Sequence, residues 1–254
     1  FLIGAKKRGA VEYLRCFNSE FGFLNNCRVK ENDLLHNVEE NIKICEKLFD
    51  KKAETISPLI LKLNSQDEKF ANDYVLQNSL QDKLIIGIHA GCSLLKNHMK
   101  RRWEPEKFIE LSKKIIDNKN AHILIFGGPD EAELKDFIKT GINSPNVIVV
   151  KSSSLTQSAA LMKYCSLFIS NDSGLMHIAA AMQTKLIPVI GPTSLNYIHP
   201  WKCDYKPATI DLECAPCFIY SPRPLSCSRN DVQFKCIKEL SVEKVYSVVN
   251  NFLL

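Results

Sequence analysis

The chain has 254 residues, 45% of them hydrophobic and 24% charged, and a formal charge of +5. That composition suits one large core or two modest ones and excludes disordered and fibrous classes. Apolar runs such as LIIGI and LIPVI fall far short of the roughly 20 residues that span a bilayer, and the mild positive charge favours phosphates or an anionic membrane surface without being a nucleic-acid footprint.

The first residue is Phe1, and FLIGAKKRGAVEYLRCF reads as a strand and turn from the middle of a domain, because its apolar start has no preceding partner or cap. A fragment of a longer protein is expected. No charged-then-apolar leader opens the chain, which reads as cytoplasmic, with its ten cysteines as reduced thiols. NDLLHNVEENIKICEKLF predicts a helix with Leu35, Val38, Ile42 and Cys45 inward. The polar stretch around NSQDEKFANDY reads as a connector followed by another helix, and a domain boundary is placed near Asp82.

From residue 84 onward, short β-rich runs alternate with stretches of helical period, the pattern of βα units around a parallel sheet. LIIGIHA (84–90) is the first strand, and Pro105 suits the first turn of a helix with Phe108, Leu111 and Ile115 on one face. HILIF (122–126) is the second, followed by the GGPDE loop and a helix carrying Leu134, Phe137 and Ile138. NVIVV (146–150) precedes serines suited to an N-cap and a helix packing Leu155, Ala159 and Met162. SLFIS (166–170) and KLIPVIG (185–191) complete the strands, and the tail places Val242, Val245, Val249 and Phe252 at helical spacing. The chain thus divides into an N-terminal part (1–81), an α/β Rossmann-like domain (82–240) and a C-terminal helix (241–254).

In an open parallel sheet, ligands sit beyond the C-terminal strand ends, so each loop after a strand is a candidate site. SNDSGLMHIAAA (170–181) places Asp172 where it suits a helix N-cap, with Ser173 and Gly174 offering unpaired N–H groups to an anion. His177, four residues after Ser173, shares its helical face. Taken alone, the same residues are a cap, a turn and a core histidine. GCSLLKNHMKRRW supplies Gly91 and Ser93, then Lys96, Lys100, Arg101 and Arg102, whose charge suits a departing diphosphate but also an ordinary solvated face. Glu131 in GGPDE can accept from a pair of hydroxyls, as acids after Rossmann strands do for a ribose, and Gly191 and Thr193 form a last loop. Together these loops equip a nucleotide-linked sugar site. No GxGxxG after a strand, GxxxxGK[ST], HExxH or GxSxG motif occurs, and no Asp-x-Asp follows a strand, which disfavours dehydrogenase, NTPase, zinc-protease and α/β-hydrolase readings and a metal-bridged diphosphate.

KRRWEPEKFIELSKKI, ILIFGGPDE, SSLTQSAALM, FISNDSGLMHIAAAM and VIGPT, in that order, resemble glycosyltransferase family 9, the ADP-heptose:lipopolysaccharide heptosyltransferases. The likeness covers about residues 84 to 250, with a weaker echo in FLIGAKKRGAVEYLRC and LLHNVEENIKIC. It implies a GT-B fold, two Rossmann-like domains facing a cleft, and metal-independent transfer with inversion from ADP-heptose to a lipopolysaccharide core or lipid A–Kdo acceptor. Peripheral contact with the inner membrane is implied too. By position, Asp172 would hold sugar hydroxyls, Ser173 and Gly174 the diphosphate and Glu131 the ribose, with His177 supporting the loop; Ser93, Lys100 and Thr193 complete the expected donor site. Arg101 stands where the family has lysine. The family's opening Gly-Asp segment, whose aspartate resembles the general base, has no match here, so the catalytic residue is expected to lie outside this chain. A nucleotide-sugar binding module without catalysis and a GT-B sugar-nucleotide epimerase are the alternatives. Cys214 and Cys217 of CAPC, with Cys227 and Cys236, read either as a structural metal site or cross-link or as four reduced thiols; no catalytic cofactor is expected.

Overall fold

The computed structural model describes residues 4–13, 21–219 and 224–253; parts of the opening stretch, residues 1–3 and 14–17, lie outside the described residues. Its strands are β1 (Gly9–Glu12), β2 (Cys27–Lys30), β3 (Ile85–His89), β4 (His122–Ile125), β5 (Val147–Val149), β6 (Leu167–Asn171) and β7 (Leu186–Val189). The helices are α1 (Asn37–Phe49), α2 (Ser65–Gln77), α3 (Pro105–Lys119), α4 (Ala132–Ile142), α5 (Leu155–Met162), α6 (Gly174–Ala181), α7 (Leu195–Ile198), α8 (Lys235–Lys238) and α9 (Val242–Leu253).

Strands β3 to β7 form one parallel sheet in the order β5-β4-β3-β6-β7, and β1 pairs with β2 in a separate parallel pair. Near-continuous Ile, Leu and Val runs suit strands covered on both faces. One face packs Ile86, Ile88, Ile123 and Ile169 against Phe108 and Leu111 of α3 and Val245 and Val249 of α9. The other packs Ile85, Leu124 and Phe168 against Val75 of α2, Leu161 of α5 and Met176 of α6. Gly87 makes room for its partner on the neighbouring strand: a Cβ there would lie 2.4 Å from the Phe168 ring. Pro188 sits in β7, the last strand in the sheet order, where a missing donor costs least. From β3 the chain winds one way through β4 and β5, then crosses back to β6 and β7, so the connections leaving the paired C-terminal ends of β3 and β6 diverge at the switch point.

Three inward assignments fail. Phe137 is 49% and Leu155 51% exposed, and Cys45 is exposed. Ile138 and Ile142 occupy the stripe of α4 that meets the sheet, which turns Phe137 about 100° away. Leu155 is the first residue of α5, ahead of its packed turn. On α1 the inward stripe passes through Ile44 and Leu48, whose side chains close on Gly9, so Cys45 faces out. The stretch expected as a connector is helix α2 itself, closed by a capping box between Asn64 and Asp67, and it packs on α5 although it precedes residue 82.

His36 ties α1 to the loop after α7. Its Nδ1 accepts from Val38 N at 3.1 Å, its Nε2 donates to the His199 carbonyl at 2.9 Å, and its ring stacks on Trp201 at 4.6 Å. Since Nδ1 must accept, the folded ring is neutral; burial, opposed by the His199 bond and reinforced by the His199 charge, lowers its pKa to about 4. Below the ordinary value of 6.5 the unfolded chain gains a proton that the folded chain refuses. Stability therefore falls as pH drops toward 4, by about 3 kcal/mol. Urea unfolding at pH 7 and pH 4.5 should show a larger loss for the native chain than for His36→Asn, which caps without titrating; equal losses would contradict this account.

Candidate functional site

The site is built where β3 and β6 end side by side, His89 lying opposite Ser170 in register. Asn171, fully buried at the end of β6, fastens the neighbouring segments: its Nδ2 donates to the Ala90 carbonyl at 2.7 Å and its Oδ1 accepts from Trp103 N at 2.9 Å. Trp103, also fully buried, donates from Nε1 to the Leu240 carbonyl at 2.8 Å. The tryptophan thereby anchors the arginines that precede it.

Arg101 Nη1 donates to Asp172 Oδ2 at 2.7 Å, and Thr193 Oγ1 donates to the same oxygen at 2.7 Å. The Arg101 and Asp172 side chains are 12% and 7% exposed, so this pair lies largely out of water. Ser173, not Asp172, is the N-cap of α6, yet its hydroxyl makes no capping bond. It lies instead 3.0 Å from His89 Nδ1 and 3.2 Å from Ser170 Oγ. Asp172 is displaced from the cap because Arg101 and Thr193 hold its carboxylate. Beyond Gly174 the space is open: nothing lies within 4 Å of where a Cβ would sit.

On the other side, His89 Nε2 is 3.0 Å from Glu131 Oε2, which also accepts from Gly128 N at 2.9 Å. Arg102 Nη2 stands 3.9 Å from Glu131 Oε1 and donates to the Cys92 carbonyl at 2.6 Å. Burial is the largest influence on the Glu131 carboxyl and opposes ionisation, but the hydrogen bond from the His89 ring, the Gly128 N–H and Arg102 together hold its pKa below the ordinary value. Cys92 Sγ reaches the His98 carbonyl, and His98 Nδ1 lies 3.4 Å from Arg101 Nη2. Contacts thus run from Glu131 through Arg102, Cys92, His98 and Arg101 to Asp172, and the peptide bond to Ser173 and the His89 contacts close a ring back to Glu131. Two buried atoms in that ring, Arg101 Nε and His98 Nε2, have no hydrogen-bond partner among the described residues.

Of the residues expected from sequence, Arg101, Asp172, Ser173, Glu131 and Thr193 meet in or on this ring, and Gly174 borders it. His177 is half-buried on α6; burial lowers its pKa while the Asp172 charge opposes that shift. Ser93 and Lys100 are exposed, and Ser93 Oγ accepts from its own loop at Leu95 N. Arg102, expected among the cations, stands beside Glu131; His89, His98 and Asn171 carry no expectation from sequence, although His89 and Asn171 end their strands, where the switch-point rule directs attention.

The four loop cysteines are free thiols. They lie near enough that their mutual charge, after burial, raises the Cys217 thiol and pushes Cys236 up to about 11. Among the described residues, however, no three His, Cys, Asp or Glu side chains are grouped to hold a metal ion. Cys214 Sγ faces Arg229 and Cys227 Sγ accepts from Phe234 N at 3.2 Å, so these thiols are turned to the protein around them. The loop acts as a wall: Ser194 N donates to the Phe218 carbonyl, Leu225 N to the Lys96 carbonyl, and the Phe218 ring centroid lies 5.9 Å from the Arg101 guanidinium.

A five-stranded parallel sheet wound on both faces, with buried charge gathered at its switch point, defines a doubly wound α/β domain. Residues 2–224 match the profile described as glycosyltransferase family 9 (heptosyltransferase), and the chain belongs to that family. Lipooligosaccharide heptosyltransferase 2 of Campylobacter jejuni serotype O:2 is 32% identical over 190 residues, covering 73% of this chain and 55% of that protein. The chain spans about half the length of the curated relatives that it matches over most of its own length. Among solved structures, Escherichia coli ADP-heptose lipopolysaccharide heptosyltransferase II aligns with a TM-score of 0.69 at 18% identity, covering 99% of this chain and 71% of that one. A family 9 glycosyltransferase from Veillonella parvula aligns at 0.68 with 20% identity, covering 89% and 63%. The fold is α/β of the GT-B type.

Truncating Arg101 leaves Asp172 buried without its cation, a loss of about 3 kcal/mol. Arg101→Met should lower the urea midpoint accordingly, while Asp172→Asn combined with Arg101→Met should recover most of it; equal stability of Arg101→Met and the native chain would show the pair to be of no structural weight.

Proposed function

We propose that this chain supplies the donor-binding part of an inverting, metal-independent heptosyltransferase that moves heptose from ADP-heptose to a lipopolysaccharide core acceptor such as lipid A–Kdo. The observation that carries the reading is the buried guanidinium of Arg101, with an unpartnered Nε, beside the open N-terminus of α6. That place offers charge and backbone donors to a diphosphate. Asp172, adjacent to it, suits the sugar hydroxyls, and Glu131 suits the ribose. A groove of about 580 Å³ between the loops after β4 and β5, lined by Gly128, Lys135, Ser152 and Ser154, has the size for the base.

In the proposed reaction the acceptor hydroxyl attacks the anomeric carbon, the bond to the diphosphate oxygen breaks, and the acceptor proton passes to a base that these residues do not identify. Charge gathers on the departing diphosphate, where Arg101 and the α6 amides are preorganised to meet it. The division into residues 1–81, 82–240 and 241–254 is kept as part of the proposal, with α2 serving the donor side through its packing on α5. Peripheral membrane contact is supported by exposed Leu94, Leu95 and Met99, interleaved with Lys96 and Lys100 at the rim. No described helix is long and apolar enough to cross a membrane.

Calorimetric titration with a panel of nucleotide sugars, run beside single-turnover transfer to lipid A–Kdo, tests this. ADP-heptose should bind best, and Asp172→Ala or Glu131→Ala should weaken it about 10- to 100-fold. Preference for another nucleotide sugar, or indifference to both substitutions, would overturn the reading; since the general base is expected outside this chain, binding with little or no turnover fits it, and robust turnover by this chain alone would contradict that division of roles.

A further inference from the structure

His89 has no part in the roles assigned above, yet it is 3% exposed and touches two of the groups that would meet the ligand. An ionised carboxylate only accepts hydrogen bonds, so Nε2 carries the ring proton and donates to Glu131 Oε2; Nδ1 then accepts from the Ser173 hydroxyl. Ser173 thereby commits its one hydroxyl proton to His89, with its side chain placed against His89 and Ser170 and making no capping bond to the α6 amides. Glu131 is drawn inward by the same ring: a Cβ at Gly91 would lie 1.6 Å from Glu131 Oε1 and 2.9 Å from His89 Nε2. One imidazole thus holds both the diphosphate arm and the ribose arm away from the crevice.

We propose that His89 is a positioning residue that couples these two arms by exchanging its ring proton between Nε2 and Nδ1. The inference rests on the nucleotide-sugar reading of the site. One proton leaves Nε2 for water and one from water arrives at Nδ1, so the ring's charge is unchanged. With Nδ1–H donating to Ser173 Oγ, the serine hydroxyl turns its own proton toward a phosphate oxygen. Nε2, now a bare acceptor, no longer holds Glu131, and the carboxylate is free to accept from the ribose hydroxyls. Filling either arm favours the tautomer that the other arm needs.

Four probes test the coupling by calorimetry on the 254-residue chain: ADP, AMP and the 2′,3′-dideoxy form of each. In the native chain the hydroxyl pair should strengthen binding at least about fivefold more when the β-phosphate is present than when it is absent. His89→Gln places an amide where Nε2 meets Glu131, and His89→Asn places one where Nδ1 meets Ser173. Each should still bind ADP, with that ratio reduced to about one. A merely structural histidine would lower all four affinities together and leave the ratio intact. Additive losses in the native chain, or an undiminished ratio in both variants, would overturn the coupling while leaving the nucleotide reading in place; no ADP binding by the native chain would remove both. The native ratio decides even if a variant fails to fold.

Discussion

The carboxylate of Asp172 is carried into a place where the residue is only 5% exposed, and a buried charge left unpaired costs several kcal/mol. Much of the site's architecture answers that constraint. Arg101 must arrive, so the segment from β3 to α3 is anchored behind it by Trp103. Thr193 must arrive, so the loop after β7 turns inward and is stitched to the cysteine-rich loop at Phe218. Asn171 must hold both neighbouring segments in register. The sheet order makes this convergence possible, because at the switch point the connections leave two paired strand ends in opposite directions and open a crevice above them.

A rim that satisfies itself has a consequence for binding. Donors and acceptors aimed at the crevice are occupied by one another, so a ligand gains affinity only by exchanging its own groups for internal ones. Such exchange costs little for a ligand that presents anion and hydroxyls at matching places, and much for one that offers only half the set. Specificity follows from this arithmetic more than from contact area. The unpartnered Arg101 Nε and His98 Nε2 are where the exchange is incomplete and a ligand has most to add.

Much of the fold was legible because period alone separates a buried strand from an amphipathic helix: the strands from β3 to β7 and helices α3, α4, α5, α6 and α9 fall where alternation of pattern places them. Leu155, Phe137 and Cys45 were misassigned since one helical position is a turn of about 100°, and only the neighbouring layer decides which stripe is covered. α2 was hidden by its polarity, though its Asn-x-x-Asp capping box was readable. At the site, residue type pointed to charge and hydroxyl at Arg101, Asp172 and Glu131, which the fold brings to one rim. Partnership was not revealed: Asp172 was expected to cap a helix until Arg101 and Thr193 claimed it. The cysteine spacing suggested a metal, whereas the folded loop turns the Cys214 and Cys227 sulfurs toward protein groups. His89 was missed because a lone histidine at a strand end looks like core.

The most direct test of the account is a crystal structure of this chain soaked or grown with ADP-heptose. The account places the diphosphate against Gly174 at the start of α6 and within reach of Arg101, with the ribose at Glu131. A nucleotide bound elsewhere, with the Arg101–Asp172–Thr193 contacts undisturbed and the crevice between β3 and β6 empty, would contradict it.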